Sequence, residues 1–485
     1  MPHCFTDARI IQRLVGMKAA SVMTHFHIAS QEVQAPPPGY MILTVVGSGV
    51  STGVPVIGHL GLGCACEHAI TDPSGPNCRN NISLLITLPR RSLPDLQVTQ
   101  MESTTTATTP LTGTKDSENN GGNSSGGSVA DAVSARAARP SHSCFAAERF
   151  SNYIGTKPVA HILIDCGKTF RDAYFKVMIR CNVRTVDTLL LTHGHADAVA
   201  GLDDLRDLQT MHMVSTGDWV IDSFVPTYLS PSTLKTLEKS VDYIIRNSLK
   251  SGNAMSTPSE HAAQLAERLQ EREAQAVANG TARKKGGWRN IGIRRSTALD
   301  LFCMDEERPM RMHLPITATA ATAGGTDAAS DLPFYSFPVE HGKGYVSMAW
   351  VFGRGTAFKS QQTQQQQQPE GSCVVYISDV SHIPATSMAF LEDLVKIDVL
   401  FLDCLSPRGR VSPVHYCEDD MMALVVALKP CHVFGVGMHC ALEHFHWIAE
   451  LKKALDSHVA AGRLREGEVQ CVELSYDGMQ VLLPQ

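Results

Sequence analysis

Short apolar runs, β-branched or leucine-rich and bounded by turn residues, recur along the chain at Met41 to Val46, Ile82 to Leu88, His161 to Asp165, Thr188 to Thr192, Tyr345 to Phe352, Val374 to Ser378, Val399 to Asp403, His432 to Val436 and Gln480 to Leu483. Each predicts a strand. Between them, helical patterning predicts helices at Thr169 to Arg180, Asp203 to Met211, Ser232 to Ser248, Ala385 to Val395, Glu418 to Lys429 and Glu443 to Leu455. The Glu418 helix carries Glu418, Asp419 and Asp420 in its first turn and Lys429 in its last, followed by Pro430, so charge and breaker agree with the helix dipole. The strands come in two batches with helices between, which predicts two sheets between helical layers, an α/β (αββα) class.

Other stretches are too polar to order themselves. The segment around 91–143 reads as linker, with its Ser-Thr-Thr-Thr and Asn-Asn-Gly-Gly tracts. From Ser251 to Asp331 an Ala/Glu/Gln-rich helix is expected near Ser259 to Ala278, then a basic patch Arg283-Lys284-Lys285 and a Thr/Ala tract, with one core segment at Leu299 to Met304. The glutamine run Gln361 to Gln368 lies between apolar segments and fits a hairpin loop. The predicted organisation is an extension at 1–39, ending at Pro36-Pro37-Pro38-Gly39, and one domain at 40–485 with disordered insertions near 91–143, 251–298, 313–331 and 359–370.

Composition narrows the function. The 485 residues hold 42 Lys+Arg and 48 Asp+Glu, a net charge of −6, so a protein that coats phosphate backbones is not expected and nucleic acid is not the predicted partner. The longest apolar run, Met421 to Leu428, is too short for a membrane helix. Fourteen scattered cysteines, with Cys64 and Cys66 the one close pair, suit a reducing compartment better than a disulfide scaffold. The expected location is cytoplasmic; Arg9, Arg13 and Lys18, with no acid between Ala8 and Ser30, give mitochondrial import as the alternative.

The densest chemistry is Leu189-Leu190-Leu191-Thr192-His193-Gly194-His195-Ala196-Asp197, where two imidazoles and a carboxylate leave a strand end together. Such donors suit zinc, manganese or iron. His341 and Asp379, each beside a strand, are further candidates.

These motifs, with Gly47 to Pro55, Ile164-Asp165-Cys166-Gly167 and Ser378-Asp379, resemble the metallo-β-lactamase superfamily, in particular the branch of the phosphoribosyl cyclic phosphate phosphodiesterase of bacterial phosphonate breakdown and its eukaryotic relatives. The resemblance implies a sandwich of two mixed β-sheets flanked by helices, with metals at the strand ends. It assigns His193, His195 and His341 to a three-histidine site, Asp379 to a carboxylate bridging two metals, and Asp197 to the second metal. Two family histidines are replaced here, by Ala198 and Gly437, as in the eukaryotic relatives. The second position then keeps only Asp197 and Asp379, so one tight ion is expected, with any second ion weak and oxygen-ligated unless His439 or His444 swings in. A structural zinc of the bacterial relative maps to Cys64, Cys66 and Cys440, with His68 or Cys78 as the candidate fourth ligand. His415 matches a histidine of the late active-site loop and could protonate a leaving alkoxide or contact phosphate.

The resemblance thus implies a metal-dependent hydrolase, a phosphodiesterase using a metal-bound hydroxide on a small cyclic or diester phosphate, with zinc or manganese as catalytic cofactor. Asp197 and His415 are its candidate catalytic residues. The alternatives are an endonuclease of the tRNA 3′-processing kind and a non-catalytic metal-binding scaffold. Asp203, Asp204 and Arg206 read as structural, and the glycines of Gly47 to Gly53 as a tight turn near the cleft, since no Gly-Lys-Ser/Thr follows.

Overall fold

The computed structural model describes residues 27–28, 35–37, 39–59, 61–89, 159–209, 211–213, 219–221, 224–253, 296–314, 332–361 and 370–485. The predicted helix at Ser259 to Ala278, the basic patch, Gln362 to Gln368 and the whole 91–143 segment lie outside the described residues.

In chain order the strands are β1 His27–Ile28, β2 Tyr40–Gly47, β3 Ser83–Pro89, β4 Val159–Ile164, β5 Thr188–Leu190, β6 Met211–Met213, β7 Trp219–Ile221, β8 Val225–Leu229, β9 Leu249–Asn253, β10 Leu299–Cys303, β11 Met310–Met312, β12 Phe334–Glu340, β13 Val346–Phe352, β14 Val374–Ile377, β15 Val399–Asp403, β16 His432–Val436, β17 Cys471–Leu474 and β18 Gln480–Pro484. One sheet runs β1-β18-β2-β3-β4-β5-β8-β10-β9 and the other β11-β12-β13-β14-β15-β16-β17, with β6 and β7 a separate pair. Both sheets are mixed: β2, β3, β4 and β12, β13, β14 pair antiparallel, while β4 to β5 and β14 to β17 run parallel. This is the αββα sandwich of two mixed sheets that the resemblance implies.

Alternation along each strand explains the layers. On β13, Met348, Trp350 and Phe352 point into the core between the sheets, while Ala349 and Val351 point to the outer helical layer. On β15, Val399 and Phe401 face in, and Leu400 and Leu402 face the helices. Both faces are covered, so these strands read as continuous apolar runs. The Phe170–Ala173 helix, its π-turn continuation Tyr174–Met178 and the segment around Leu202 to Leu208 cover the other sheet. Among the described residues, no helix is long and apolar enough to cross a membrane.

Several elements depart from the expected pattern. The helix predicted at Asp203 to Met211 is a 3₁₀ turn at Leu202–Leu208 followed by β6. Its buried positions, Leu202, Leu205 and Leu208, recur every third residue, which matches three residues per turn and not 3.6. Ser232 to Ser248 is two helices, Pro231–Ser240 and Asp242–Asn247, broken at Val241. The first is capped by Ser230, whose hydroxyl accepts from Thr233 N at 3.1 Å. β8 and β12 escape the apolar pattern because each contains a proline. Pro338 lies beyond the stretch of β12 that β11 covers, and Pro226 lies beyond the pairing of β8 with β5, so neither sits between two hydrogen-bonded neighbours. Within the predicted N-terminal extension, His27 and Ile28 add an edge strand to β18.

Candidate metal centre

Strands of both sheets end at one cleft, and their carboxyl ends deliver the chemistry. Asp165 follows β4, His193 and His195 follow β5, His341 follows β12, Asp379 follows β14, and Asp403 ends β15. A backbone bond from Met348 N to Thr192 O, 2.8 Å, joins the two sheets at this point.

Local bonding fixes each imidazole. Thr192 donates both its backbone N–H and its hydroxyl to the buried Asp165 carboxylate, each at 2.8 Å. Having given its proton to Asp165, the hydroxyl oxygen accepts from His193 Nδ1 at 2.9 Å. The lone pair of His193 therefore sits on Nε2, an atom that is buried and makes no hydrogen bond. Burial drives the His193 pKa down to about 3, against the pull of Asp379, so the ring is neutral. His341 gives its Nδ1 proton to the Val414 carbonyl at 2.7 Å. His195 is held by stacking: Tyr345 lies 4.5 Å away with the rings 10° apart, and the Tyr345 hydroxyl accepts from Gly194 N at 3.2 Å. The ring centroids of His193, His195 and His341 lie 4.8 to 5.1 Å apart.

Carboxylates complete the set. Burial opposes ionisation of Asp379, but His193, His415 and His341 around it outweigh burial and hold its pKa below the usual range. Asp197 is raised to about 6 by burial and by the neighbouring Asp379, and its Oδ1 lies 3.8 Å from His193 Nε2. Three donor groups arise, each with ligand atoms within 4.8 Å of one another: His193, His195 and His341; His193, Asp197 and Asp379; His341, Asp379 and His415. A buried imidazole nitrogen without a partner, amid neutral nitrogen and anionic oxygen donors, fits a divalent ion. Thr192→Val removes the acceptor that fixes the His193 tautomer, so we expect cleft metal affinity to fall about 10–100-fold, read by calorimetry, with little change in fold.

Sequence reasoning passed over Asp403, Thr192 and Tyr345. Asp403 is wholly buried; its Oδ2 accepts from His415 Nδ1 at 2.8 Å, while Oδ1 makes no hydrogen bond. An aspartate ending an apolar strand reads as a boundary, and only the fold brings His415 to it. A Cβ on Gly437 would stand 2.7 Å from Asp403 Oδ1, and Gly437 has φ 74°, so a histidine at that position is excluded while Asp403 holds its place. Ala198 packs in the apolar layer behind the first sheet.

A second cluster gathers His59, Cys64, Cys66 and Cys440, again within 4.8 Å of one another. His59 Nδ1 lies 3.2 Å from Cys440 Sγ, and Cys66 Sγ accepts from Val56 N at 3.2 Å. The Ala65–Thr71 helix turns Ala65, Cys66 and Ala69 inward and leaves His68 exposed, so His68 does not join the cluster. Cys78 packs against the group from outside the donor set. The fourth donor, His59, stands upstream of the Cys-x-Cys pair, in place of His68 or Cys78. His439 sits against this cluster, 3.6 Å from Cys440 Sγ, and His444 is buried at the start of the His444–Ala460 helix; among the described residues neither belongs to a donor group of the cleft.

Burial, reinforced by Arg79, lowers the His444 pKa to about 3, below about 6.5 in the unfolded chain. The folded state therefore favours the neutral ring, and the resulting stability is present above pH 6.5 and lost as pH falls toward 3. His444→Phe is expected to flatten the stability profile in that window by up to about 1.4 kcal/mol per pH unit, checked by urea unfolding across pH.

The glycines of Gly47 to Gly53 form a protein-facing turn. Gly49 N donates to Asn80 O at 2.7 Å, Val50 N to Met438 O at 3.3 Å and Gly53 N to Val50 O at 2.7 Å, so these amides are already used. Arg206 pairs with Asp203 beside it, a structural contact as expected.

Residues 160–288 match the model of the β-lactamase superfamily domain. No curated protein matches the chain. Among solved structures it is similar to a new diphosphatase from the PhnP family, at 19% identity over 91% of this chain and 97% of that chain with a TM-score of 0.46. It is also similar to Zn(2+)-bound PqqB from Methylobacterium extorquens, at 10% identity over 90% and 99% with a TM-score of 0.41, and to the short form of human tRNase Z, at 10% over 82% and 92% with a TM-score of 0.36. The donor groups of the cleft fit a divalent metal ion.

Proposed function

We propose that the protein, a member of the metallo-β-lactamase superfamily, is a phosphodiesterase acting on a small cyclic or diester phosphate. The observation that carries the reading is that His193, His195 and His341 bring ligand atoms within 4.8 Å of one another around a buried imidazole nitrogen that makes no hydrogen bond, with Asp379 grouped in the same way with His193 and with His341. A divalent ion, zinc or manganese, held by these residues would supply Lewis acidity toward a phosphoryl oxygen and a water of lowered pKa. The chain's own groups do the rest. Asp165 and Thr192 keep His193 neutral and pointed into the cleft, and Val414 does the same for His341. Tyr345 covers His195 and excludes water from that side. Asp197, a mostly buried carboxylate whose Oδ1 lies 3.8 Å from His193 Nε2, would orient the attacking water or hold a second ion. What favours phosphate among the substrates this fold serves is the set of sequence motifs that resemble the cyclic phosphate branch.

Asp197→Asn is expected to lower kcat about 10²- to 10⁴-fold with KM little changed, measured by steady-state kinetics. The reading as a whole is tested by assaying purified protein, stripped and reloaded with zinc or manganese, on bis(p-nitrophenyl) phosphate, a thioester and RNA in parallel. Metal-dependent turnover of the diester is expected. Cleavage of RNA alone would support an endonuclease, and turnover of none would leave a metal-binding scaffold.

We also assign His59, Cys64, Cys66 and Cys440 to a structural zinc. Three sulfurs and one imidazole within 4.8 Å of one another would supply the four donors of a closed tetrahedral site. Such an ion would tie the first loop to the turn before the last long helix, where Ala65 N already donates to Cys440 O at 3.0 Å.

A further inference from the structure

The loop between β15 and the Glu418–Leu428 helix carries His415 and the carbonyl that anchors His341, and its polar groups are spent on holding it in place. Leu405 N donates to Tyr416 O at 2.8 Å and Glu418 N to Ser406 O at 3.1 Å, which closes the stem of the loop. Arg408 N donates to Glu418 Oε2 at 3.1 Å, Gly409 N to Asp419 Oδ2 at 2.8 Å, and the Arg408 guanidinium to Glu450 at 3.1 Å. Ser412 Oγ accepts from His415 N at 3.2 Å. Held in this way, the loop displays Val411, Pro413 and Val414 to solvent, with Val411 96% and Val414 37% exposed.

Aliphatic side chains held out beside a polar cleft mark a place for an apolar part of its ligand. We infer that Val411, Pro413 and Val414 form an apolar subsite of the cleft, and that the substrate is an acyclic phosphodiester with an aliphatic ester group lying along them. This narrows the phosphodiesterase reading above and rests on it.

Placement supports the subsite. Val414 stands at its inner end: its carbonyl accepts from His341 Nδ1 at 2.7 Å, and its Cγ1 lies 2.9 Å from the position a Cβ on Gly342 would take. Val411 is three residues farther along, at most about 10 Å of extended chain, so an ester group leaving a phosphate in the cleft reaches it after several methylenes. Charge points the same way. Arg408 is paired with Glu450, whereas the exposed Arg410, next to Val411, and the exposed Lys343, next to Gly342, form no ion pair among the described residues. In a chain of net charge −6, two uncompensated cations beside an apolar strip suit an anion that carries an aliphatic tail. A ligand charged at both ends would satisfy the cations and leave the strip in water.

Full-length protein reloaded with zinc or manganese is assayed on methyl, butyl and octyl p-nitrophenyl phosphate, which share one leaving group and differ only in the second ester. Wild-type kcat/KM should rise about tenfold or more from methyl to octyl, since each methylene buried on an apolar surface contributes up to about fourfold. Val411→Ser should shrink that octyl-to-methyl ratio about threefold or more, and Val411→Leu should keep it. A ratio near one in wild type, or a ratio that Val411→Ser leaves unchanged, would overturn the subsite while leaving the phosphodiesterase reading intact. No turnover of any ester, the methyl one included, would overturn both. Sedimentation with phosphatidylcholine vesicles separates the sources of the chain. A rising series with sedimentation that Val411→Ser abolishes identifies a bilayer lipid, a rising series without sedimentation identifies a soluble ester, and either supports the subsite. Sedimentation with a flat series would overturn it, leaving Val411 a membrane contact alone.

Discussion

His193→Ala should abolish tight metal binding in the cleft and cut phosphodiester hydrolysis by about a thousandfold or more, the equivalent of losing several kcal/mol of transition-state stabilisation from the ion. Every cleft donor group but that of His341, Asp379 and His415 includes this residue, and its Nε2 is buried at 1% residue exposure with nothing else to bond. Stability should move the other way from activity at low pH. A neutral imidazole whose pKa is pushed down to about 3 favours unfolding as acid protonates it, and alanine removes that liability. Thermal melts of the metal-free proteins near pH 5, set beside elemental analysis and diester kinetics, check both halves. A variant that melts far below wild type with its metal retained would show His193 to be a packing residue.

Gly167→Ala should destabilise the protein by about 3 kcal/mol or more, at the upper end of the cost of forcing atoms into a filled core. A Cβ there would stand 1.8 Å from the carbonyl oxygen of Asp197 and 2.5 Å from its carbonyl carbon, with Asn81 Cβ at 3.1 Å. Both near atoms belong to backbone, so no side chain can rotate away. The Asp197 segment would have to shift, although Cys166 N holds Ala198 O at 2.7 Å and Lys168 N holds Ala196 O at 3.1 Å. The expected result is a lowered midpoint in urea together with weakened second-ion binding. An unchanged melt would mean that the two segments are not packed as described.

This glycine also shows how far the sequence could be read. Ile164-Asp165-Cys166-Gly167 stood out as part of a resemblance, yet its reasons are tertiary: Asp165 orients Thr192, and Gly167 lets the Asp197 turn approach. His193, His195 and Asp197 were legible because they leave a strand end within five residues, and His341 and Asp379 because each adjoins an apolar run. The His415–Asp403 pair was not, since twelve residues and a loop separate its members and no periodicity links them. Cys440 was found by resemblance, whereas His59 lies in a turn whose position only the fold determines. Strands on both flanks of the cleft followed from their β-branched runs. The two with internal prolines did not, because the same residue that argues against a central strand is tolerated where one neighbour is absent.

Anomalous diffraction from crystals soaked in manganese or zinc tests the central claim most directly. The account predicts a peak within about 2.0 to 2.2 Å of His193 Nε2 and of ligand atoms from His195, His341 and Asp379. A well-ordered cleft with no peak among these four residues, in crystals that take up the ion elsewhere, would contradict it.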